Sequence, residues 1–462
     1  MAHIFTAGER KQRPGVYFRY SDRGNAPEAG ATDGINAIVL SASWGPVGKV
    51  TVHSTVQSLI DTYGASEGVE AAKMLLAGGA SKVYVCRPEG SGGVAGTATV
   101  SNLTITAKYP GARALSIKVQ EKVGDATKKQ LIVLDGTTAL ETFEFAANET
   151  DETEAVKNAV ANSMYIDVTS SSNGAVAAGT TELTKGTDPT YTAEDYLAGF
   201  QALEPYRYNV LTTDSLAAEI VAILKTYVGE CEKRGKFVIG VIGAASTVAF
   251  SERVAAAKAC DNKQIVYFGS GYVDASGNEV DGVKAVNYAA GVISSTPSNR
   301  SIVHSGVSDA VDVIEKLTME EYEEAIVNGL LLLSMGPDGQ IWFDSGVNTL
   351  INLSGNEDAG WKKIKRVKVR YELFDRIDRA VAPLVGKINC DADGVAAVIQ
   401  AGMGVITSMI AESKIKAGAT MIVDPDNPYE ADSAWFLIQA DDLDALEKIY
   451  LHYQFRYNSN VA

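Results

Sequence analysis

Apolar positions along this chain switch several times between the two-residue rhythm of a strand and the three-to-four-residue rhythm of a helix. From Ile35 the pattern changes to INAIVLSASWGPVGKV, a helical stretch follows over 69–77, and SKVYVCRP predicts a buried strand, an α/β beginning. The alternation returns after 188, with TAEDYLAGFQAL before RYNVLTT, SLAAEIVAILKTYVGECEKRG before KFVIGVIG, and STVAFSERVAAAKACD before KQIVYFG. Such alternation implies parallel strands covered by helices. Between the two halves the pattern differs. Four glycines within seven residues (Gly90, Gly92, Gly93, Gly96) mark a junction, and alternating runs such as ALSIKVQEKV and KKQLIVLDG predict an inserted β-domain over 90–188. Thr318 and Glu321 form the capping-box pattern at the start of a helix that ends near Gly329. MGPDGQIWFDSG then predicts a hairpin turning at Pro337, Asp338 and Gly339.

The last hundred residues carry a different pattern. Ile364, Val367, Tyr371, Phe374, Asp378, Val381 and Val385 recur at spacings of three and four, a mostly apolar stripe on a helix of about five turns. A second helix is predicted from Gly394 to about Lys416; one face holds Val395, Val398, Ile399, Ile406 and Met409, the other the small or polar Ala396, Ala397, Gln400, Ala401, Gly404 and Ser408. Near the end, SAWFLIQADDLDALEKIYLHYQFRYN gives two strand candidates around a loop. In the second, Ile449, Leu451, Tyr453, Phe455 and Tyr457 fall on one side of an extended backbone and Lys448, Tyr450, His452, Gln454 and Arg456 on the other. At the opposite end Pro14 and Gly15 punctuate before a short strand over 16–20, with Val16, Phe18 and Tyr20 on one side.

The predicted fold class is therefore multidomain α/β, with a mixed α/β core, an inserted β-domain, an α+β C-terminal domain and strand-forming arms at both ends. The boundaries are 1–20 for the N-terminal arm, 21–89 with 189–355 for the discontinuous core, 90–188 for the insertion, 356–446 for the C-terminal domain and 447–462 for the C-terminal arm. A length of 462 residues requires several cores. The apolar share of 46% and charged share of 21% are those of packed globular domains. No run is expected to cross a bilayer, and the opening MAHIFTAGERKQRPG lacks an apolar signal core, so synthesis in the cytoplasm is expected. A net charge of −16 repels polyanions and argues against nucleic acid as a partner.

Candidate chemistry is sparse. Cys86, Cys231, Cys260 and Cys390 lie far apart, without metal-ligand spacing, and are expected to be free and buried. His3, His53, His304 and His452 are scattered. GPVGKV and GECEKRGKF miss the phosphate-loop spacing, and Lys49 and Lys236 precede Val50 and Phe237, not the hydroxyl that would hold magnesium. Gly240 and Gly243 give GxxG where a dinucleotide fold needs GxGxxG, and tight strand-to-helix packing accounts for them. DPDNPYEAD has Tyr429 and Trp435 where a calcium loop needs Gly and Glu, leaving a polar hairpin loop. No catalytic residue, cofactor site or metal site is predicted. One charge cluster stands out: Lys362, Lys363, Lys365, Arg366, Lys368 and Arg370 occur with no acid among them, either as a solvated face or as a dock for an acidic partner.

RPGVYFRY, SASWGPVGKV, IWFDSGVNTL and IKRVKVRYELFDRIDRAVAPLVGKIN, in this order and spacing, resemble the tail sheath proteins of contractile phage tails and of headless tailocins, particularly the Gram-positive kind. The resemblance covers about 10–90 and 190–460. Its signature residues are Pro14, Gly15, Val16 and Tyr17 at the entry and Asn348, Thr349 and Leu350 after a short strand. It implies a structural subunit, not an enzyme, that polymerises as a helix or stacked rings around an inner tube and contracts to drive that tube through a cell envelope. Partners implied are further copies of the chain, the tube protein, and baseplate and tail-terminator proteins, in a virion tail or tailocin particle. The insertion is then expected to face outward. Arm strands implied to add to neighbouring subunits are Val16, Phe18, Tyr20, Ile449, Leu451, Tyr453, Phe455 and Tyr457. Candidate tube contacts are Lys362, Lys363, Lys365 and Arg366 of the cluster, and Lys414 and Lys416 at the end of the second helix. Segments 21–33 and 440–446 are expected to be hinges. The residues alone also admit a nucleotide-dependent α/β enzyme or, from the Thr-rich insertion, a surface-layer or adhesive protein.

Overall fold

The computed structural model describes residues 3–4, 17–18, 33–147, 150–355, 357–427 and 429–456. The chain divides into a short unit, 1–31, and a large one, 32–462. In the first, His3–Ile4 pairs in parallel with Tyr17–Phe18. Pro14, Gly15, Val16 and Tyr20, and nearly all of the expected hinge over 21–33, lie outside the described residues.

The predicted mixed α/β class is borne out. The large unit is built on a seven-stranded sheet in the order Leu330–Leu331, Ile265–Phe268, Ile239–Gly243, Val210–Thr213, Ile35–Val39, Lys82–Cys86, Val50–His53. All neighbours are parallel except the edge strand Val50–His53. Successive side chains of a strand serve opposite layers. Ile38 enters the layer formed with Leu59, Tyr63, Val69, Leu75 and Ile293, whereas Ala37 and Val39 enter the one with Phe200, Leu224, Val254 and Ala325. Both layers are helical, which is why these strands read as continuous apolar runs.

Val283–Ser295, the helix most deeply embedded in the first layer, has every residue from Ala285 to Ser294 buried. Gly291 lets it touch its neighbour, since a Cβ there would lie 2.3 Å from the Leu75 carbonyl. The capping box at Thr318 is formed on the helix Met319–Val327, with both reciprocal bonds present. Leu333–Met335 pairs antiparallel with Ile341–Phe343 around Gly339, whose φ is +78°.

The insertion carries a four-stranded antiparallel sheet (Thr138–Ala146, Asp125–Asp135, Leu115–Lys122, Gly179–Glu182), a three-stranded one (Ile166–Ser170, Leu103–Ala107, Thr97–Val100) and the helix Glu152–Ala159. Trp44 of the core is buried in its apolar cluster, ring to ring with Tyr109 at 5.2 Å and stacked on Tyr165 at 5.9 Å. Arg87, fully buried beside this joint, donates to the Gly45 and Pro110 carbonyls at 2.9 and 2.7 Å. The C-terminal part consists of the helices Ile364–Val381 and Ala392–Ala411 and the antiparallel hairpin Thr420–Val423 with Phe436–Gln439, closed around Val369, Leu373, Val398, Ile406, Met409 and Met421.

Candidate assembly surface

Ile364–Val381 lies between two cores, and its composition follows from that. Ile364, Val367 and Tyr371 enter the first layer of the main core, while Val369 and Leu373 enter the C-terminal cluster. The predicted stripe therefore holds over its first two turns. Beyond them Phe374 is exposed within the helix, and Val385 is exposed because the helix ends at Val381 and a 3₁₀ turn follows over Ala382–Leu384.

The basic residues on this helix are mostly engaged within the chain. Lys368 is buried and donates to the Ile293 carbonyl at 2.6 Å and to that of Thr296, capping the C-terminal end of Val283–Ser295, where carbonyls lack helical partners. Burial pushes its ammonium down to about 8. Asp33 stands 3.8 Å from it. Arg366 grips Asp442 with Nε and Nη2 at 2.5 and 2.6 Å, and Arg370 reaches the same carboxylate at 3.1 Å. Lys363 bonds Asp444 at 2.7 Å and Glu447 at 2.8 Å. Lys365 donates to the Leu443 carbonyl, and Lys362 to that of Ile351 at 2.6 Å. Segment 440–446, expected to be a hinge, is thus pinned to the helix: the acidic partner of the cluster is the chain's own stretch 442–447.

The second helix stops at Ala411, five residues earlier than predicted, and Ser413 turns the chain with a φ of +58°. This carries Lys414 inward, not to an exposed helix end. It is buried, 2.7 Å from both Glu372 and Glu412. Arg376 completes the network, 2.6 Å from Glu372 and 2.7 Å from Glu412, and its hydrogen bond holds the Glu412 carboxyl down to about 2. Of the six candidate tube contacts, Lys365 and Lys414 are buried, Lys362, Lys363 and Arg366 are engaged as described, and Lys416 is exposed, its ammonium 3.9 Å from Asp441. Against the expectation that no run could cross a bilayer, Ala392–Ala411 is long and apolar enough by composition. Its buried residues Val398, Ile406 and Met409 face the C-terminal cluster, and Ala396, Gln400, Gly404 and Thr407 are exposed.

Asn348, Thr349 and Leu350 act as a crosslink. The Asn348 side-chain amide donates to the Lys263 and Trp361 carbonyls at 3.0 and 2.6 Å, and its oxygen accepts from the Leu350 N–H. Thr349 donates its N–H to the Ile265 carbonyl at 2.9 Å and its hydroxyl to that of Asn262 at 2.9 Å. The triplet therefore ties a sheet strand to the base of Ile364–Val381. Gly329 passes beneath it, where a Cβ would stand 2.6 Å from the Asn348 carbonyl.

After Glu447 no hydrogen bond or ion pair joins the segment to the rest of the chain among the described residues, and only local contacts remain, such as Tyr453 stacked on Phe455 at 6.3 Å. No strand forms over 448–456; Ile449 and Leu451 are each 69% exposed, Tyr453 71% and Phe455 93%. Tyr457 lies outside the described residues. The strand predicted here is not made among the described residues. The hairpin of Phe436–Gln439 carries no third strand among the described residues. Beside it runs an open groove of about 1010 Å³ lined by Phe237, Trp361, Phe374, Ile377 and Ile438, with Arg370 at its polar side.

Open α/β sheets bind ligands where the strand order reverses, at the carboxyl ends of the strands. Here that place lies between Ile35–Val39 and Val210–Thr213, and side chains fill it. Asp214 accepts from the Ser41 N–H at 2.7 Å, its hydroxyl at 2.5 Å and Tyr196 at 2.6 Å. Burial raises the Asp214 carboxyl. A Cβ on Gly68 would stand 2.1 Å from the Ser41 carbonyl, so backbone closes the crevice from above. Gly243, read as a packing glycine, has its Cα so near the next strand that a Cβ would lie 1.9 Å from the Phe268 carbonyl.

Residues 190–349 match the family model of the phage tail sheath protein central domain. Over 97% of its length the chain is 24% identical to the phage-like element PBSX protein XkdK of Bacillus subtilis, covering 98% of that protein. Its fold is that of the sheath tail protein from Desulfitobacterium hafniense, with a TM-score of 0.72 at 20% identity, covering 93% of this chain and all of that one. The helical sheath of the anti-feeding prophage in its contracted state has a TM-score of 0.53 at 11% identity, covering 96% of this chain and 99% of that one.

Proposed function

We propose that this chain, whose centre matches the phage tail sheath family model, is a structural subunit of a contractile tail sheath and not an enzyme. It polymerises helically, or as stacked rings, around an inner tube through exchange of its terminal segments, and it contracts as a rearrangement of rigid subunits. The observation that carries this reading is the bare segment 449–455. Its apolar side chains alternate as in a strand, yet they stand 69–93% exposed, and the hairpin of Phe436–Gln439 carries no third strand among the described residues. Edge strands left open are pairing sites, and a strand added from another copy contributes main-chain hydrogen bonds together with pockets for alternate side chains. The groove beside Phe436–Gln439, with its aromatic floor, suits that use. Each further arm binds intramolecularly once the first is engaged, so weak individual contacts add to a firm lattice.

The tube-facing surface is assigned to the exposed small-residue face of Ala392–Ala411, where Ala396, Gln400 and Gly404 are exposed, with Lys416, 3.9 Å from Asp441, at its foot. The insertion faces outward, and baseplate and terminator proteins meet the ends of the polymer. The polymer forms in the host cytoplasm and belongs to a virion tail or tailocin particle.

Electron microscopy tests this. The purified full chain, concentrated and seeded with preassembled tail tube, should form hollow cylinders of regular repeat. A chain that stays monomeric in sedimentation and featureless in negative stain under both conditions overturns the reading.

A further inference from the structure

The boundary between the pinned and the bare parts of the C-terminal segment is abrupt, and one helix creates it. Arg366 and Arg370, four residues apart, lie on one face of Ile364–Val381 beside the apolar stripe of Ile364, Val367 and Tyr371, and Lys363 stands in extended conformation at its N-terminus. Across that face run Asp442, Asp444 and Glu447. Asp442, only 8% exposed, accepts from both guanidiniums, and Arg366 meets it in the bidentate geometry that is strongest for a carboxylate. Backbone bonds run parallel to these pairs: the Leu443 N–H donates to the Lys414 carbonyl at 2.9 Å, and the Lys416 N–H to the Asp441 carbonyl at 2.8 Å. Glu447 also accepts from the Ser301 hydroxyl of the core at 3.0 Å. One residue later, all such contacts end.

We propose that 441–447 is an electrostatic strap that fixes the point at which the C-terminal segment leaves the subunit, so that a pull on 448–462 is delivered to Ile364–Val381 and not to the hairpin. The same helix passes the pull onward through Lys368, which holds the end of Val283–Ser295, and through the Glu372–Arg376–Glu412–Lys414 network at its far half. The mechanical role rests on the reading that 448–462 engages a second copy; the strap itself does not.

Limited proteolysis of the isolated full chain tests it. Trypsin should cut after Lys448 quickly, whereas a protease specific for aspartate should cut before Asp442 and Asp444 slowly. In the variant Arg366→Gln with Arg370→Gln, the buried Asp442 carboxylate loses both guanidiniums, and cleavage at Asp442 and Asp444 should accelerate at least about tenfold. The milder Lys363→Gln should speed cleavage at Asp444 and leave Asp442 slow. Should the double variant fail to fold by circular dichroism, Lys363→Gln decides alone. Unchanged cleavage rates in the folded variants, or fast cleavage at Asp442 in the unaltered chain, overturn the strap. Proteolysis as expected in a chain that never forms cylinders leaves the strap standing and removes the assembly reading, so the two fail separately.

Discussion

Residues 441–447 and 448–456 are neighbours in sequence and lie in opposite conditions. The first stretch has no regular secondary structure, yet three of its acids are held by Lys363, Arg366 and Arg370, and its carboxylates are partly desolvated. The second has the alternation of a strand and leaves its apolar side chains in solvent. The difference shows that a segment is fixed by complementary surface, not by its own propensity. Charges find their complement on the chain's own helix. Apolar alternation needs an edge, and among the described residues 448–456 pairs with none.

Removing 448–462 should break the comparison most completely. The truncated subunit should keep its stability to within about 0.5 kcal/mol, since the described residues 448–456 are exposed, but it should form no cylinders by electron microscopy. Asn348→Ala acts on the other side of the comparison, at the base of the helix on which the strap lies. It leaves the Lys263 and Trp361 carbonyls without their donor and should cost about 2–4 kcal/mol in chemical denaturation. Phe455→Asp sharpens the contrast in the bare stretch: monomer stability unchanged, and the concentration needed for assembly raised at least about tenfold, the equivalent of one buried aromatic contact. The smallest effect concerns pH. Glu412, held to about 2 by Arg376 and ordinarily near 4.3 when unfolded, adds stability that is fully present above about pH 5 and fades as pH falls towards 2. Glu412→Gln should therefore lower the melting temperature at pH 6 and leave it close to that of the unaltered chain at pH 2.

Much of the core was legible in the sequence because its signals are local. Alternating helices and apolar strands, the box at Thr318 and Glu321, and the turn at Gly339 each depend on residues close together. Val283–Ser295 was not, since a helix buried on all sides shows no amphipathic period. The second apolar face of Ile364–Val381 was hidden for a related reason: Val369 and Leu373 serve a different core from Val367 and Tyr371, and Lys365 and Lys368 bury their stems among them. The overrun of the second helix to Lys416 arose because nothing in MIAESKIK forbids a helix; the left-handed Ser413 and the pull of Glu372 on Lys414 end it. The basic cluster was visible, but its partner stood more than seventy residues away. The acids of ADDLDALEK, a dense acidic run within the same domain, were the signal that could have matched it.

The central claim is that the bare segment is completed by another copy. A cryo-electron microscopy reconstruction of the assembled chain tests it directly. The account predicts density for 449–455 as a strand hydrogen-bonded to the hairpin of a neighbouring subunit; the same residues folded back onto their own subunit, with no strand passing between copies, would contradict it.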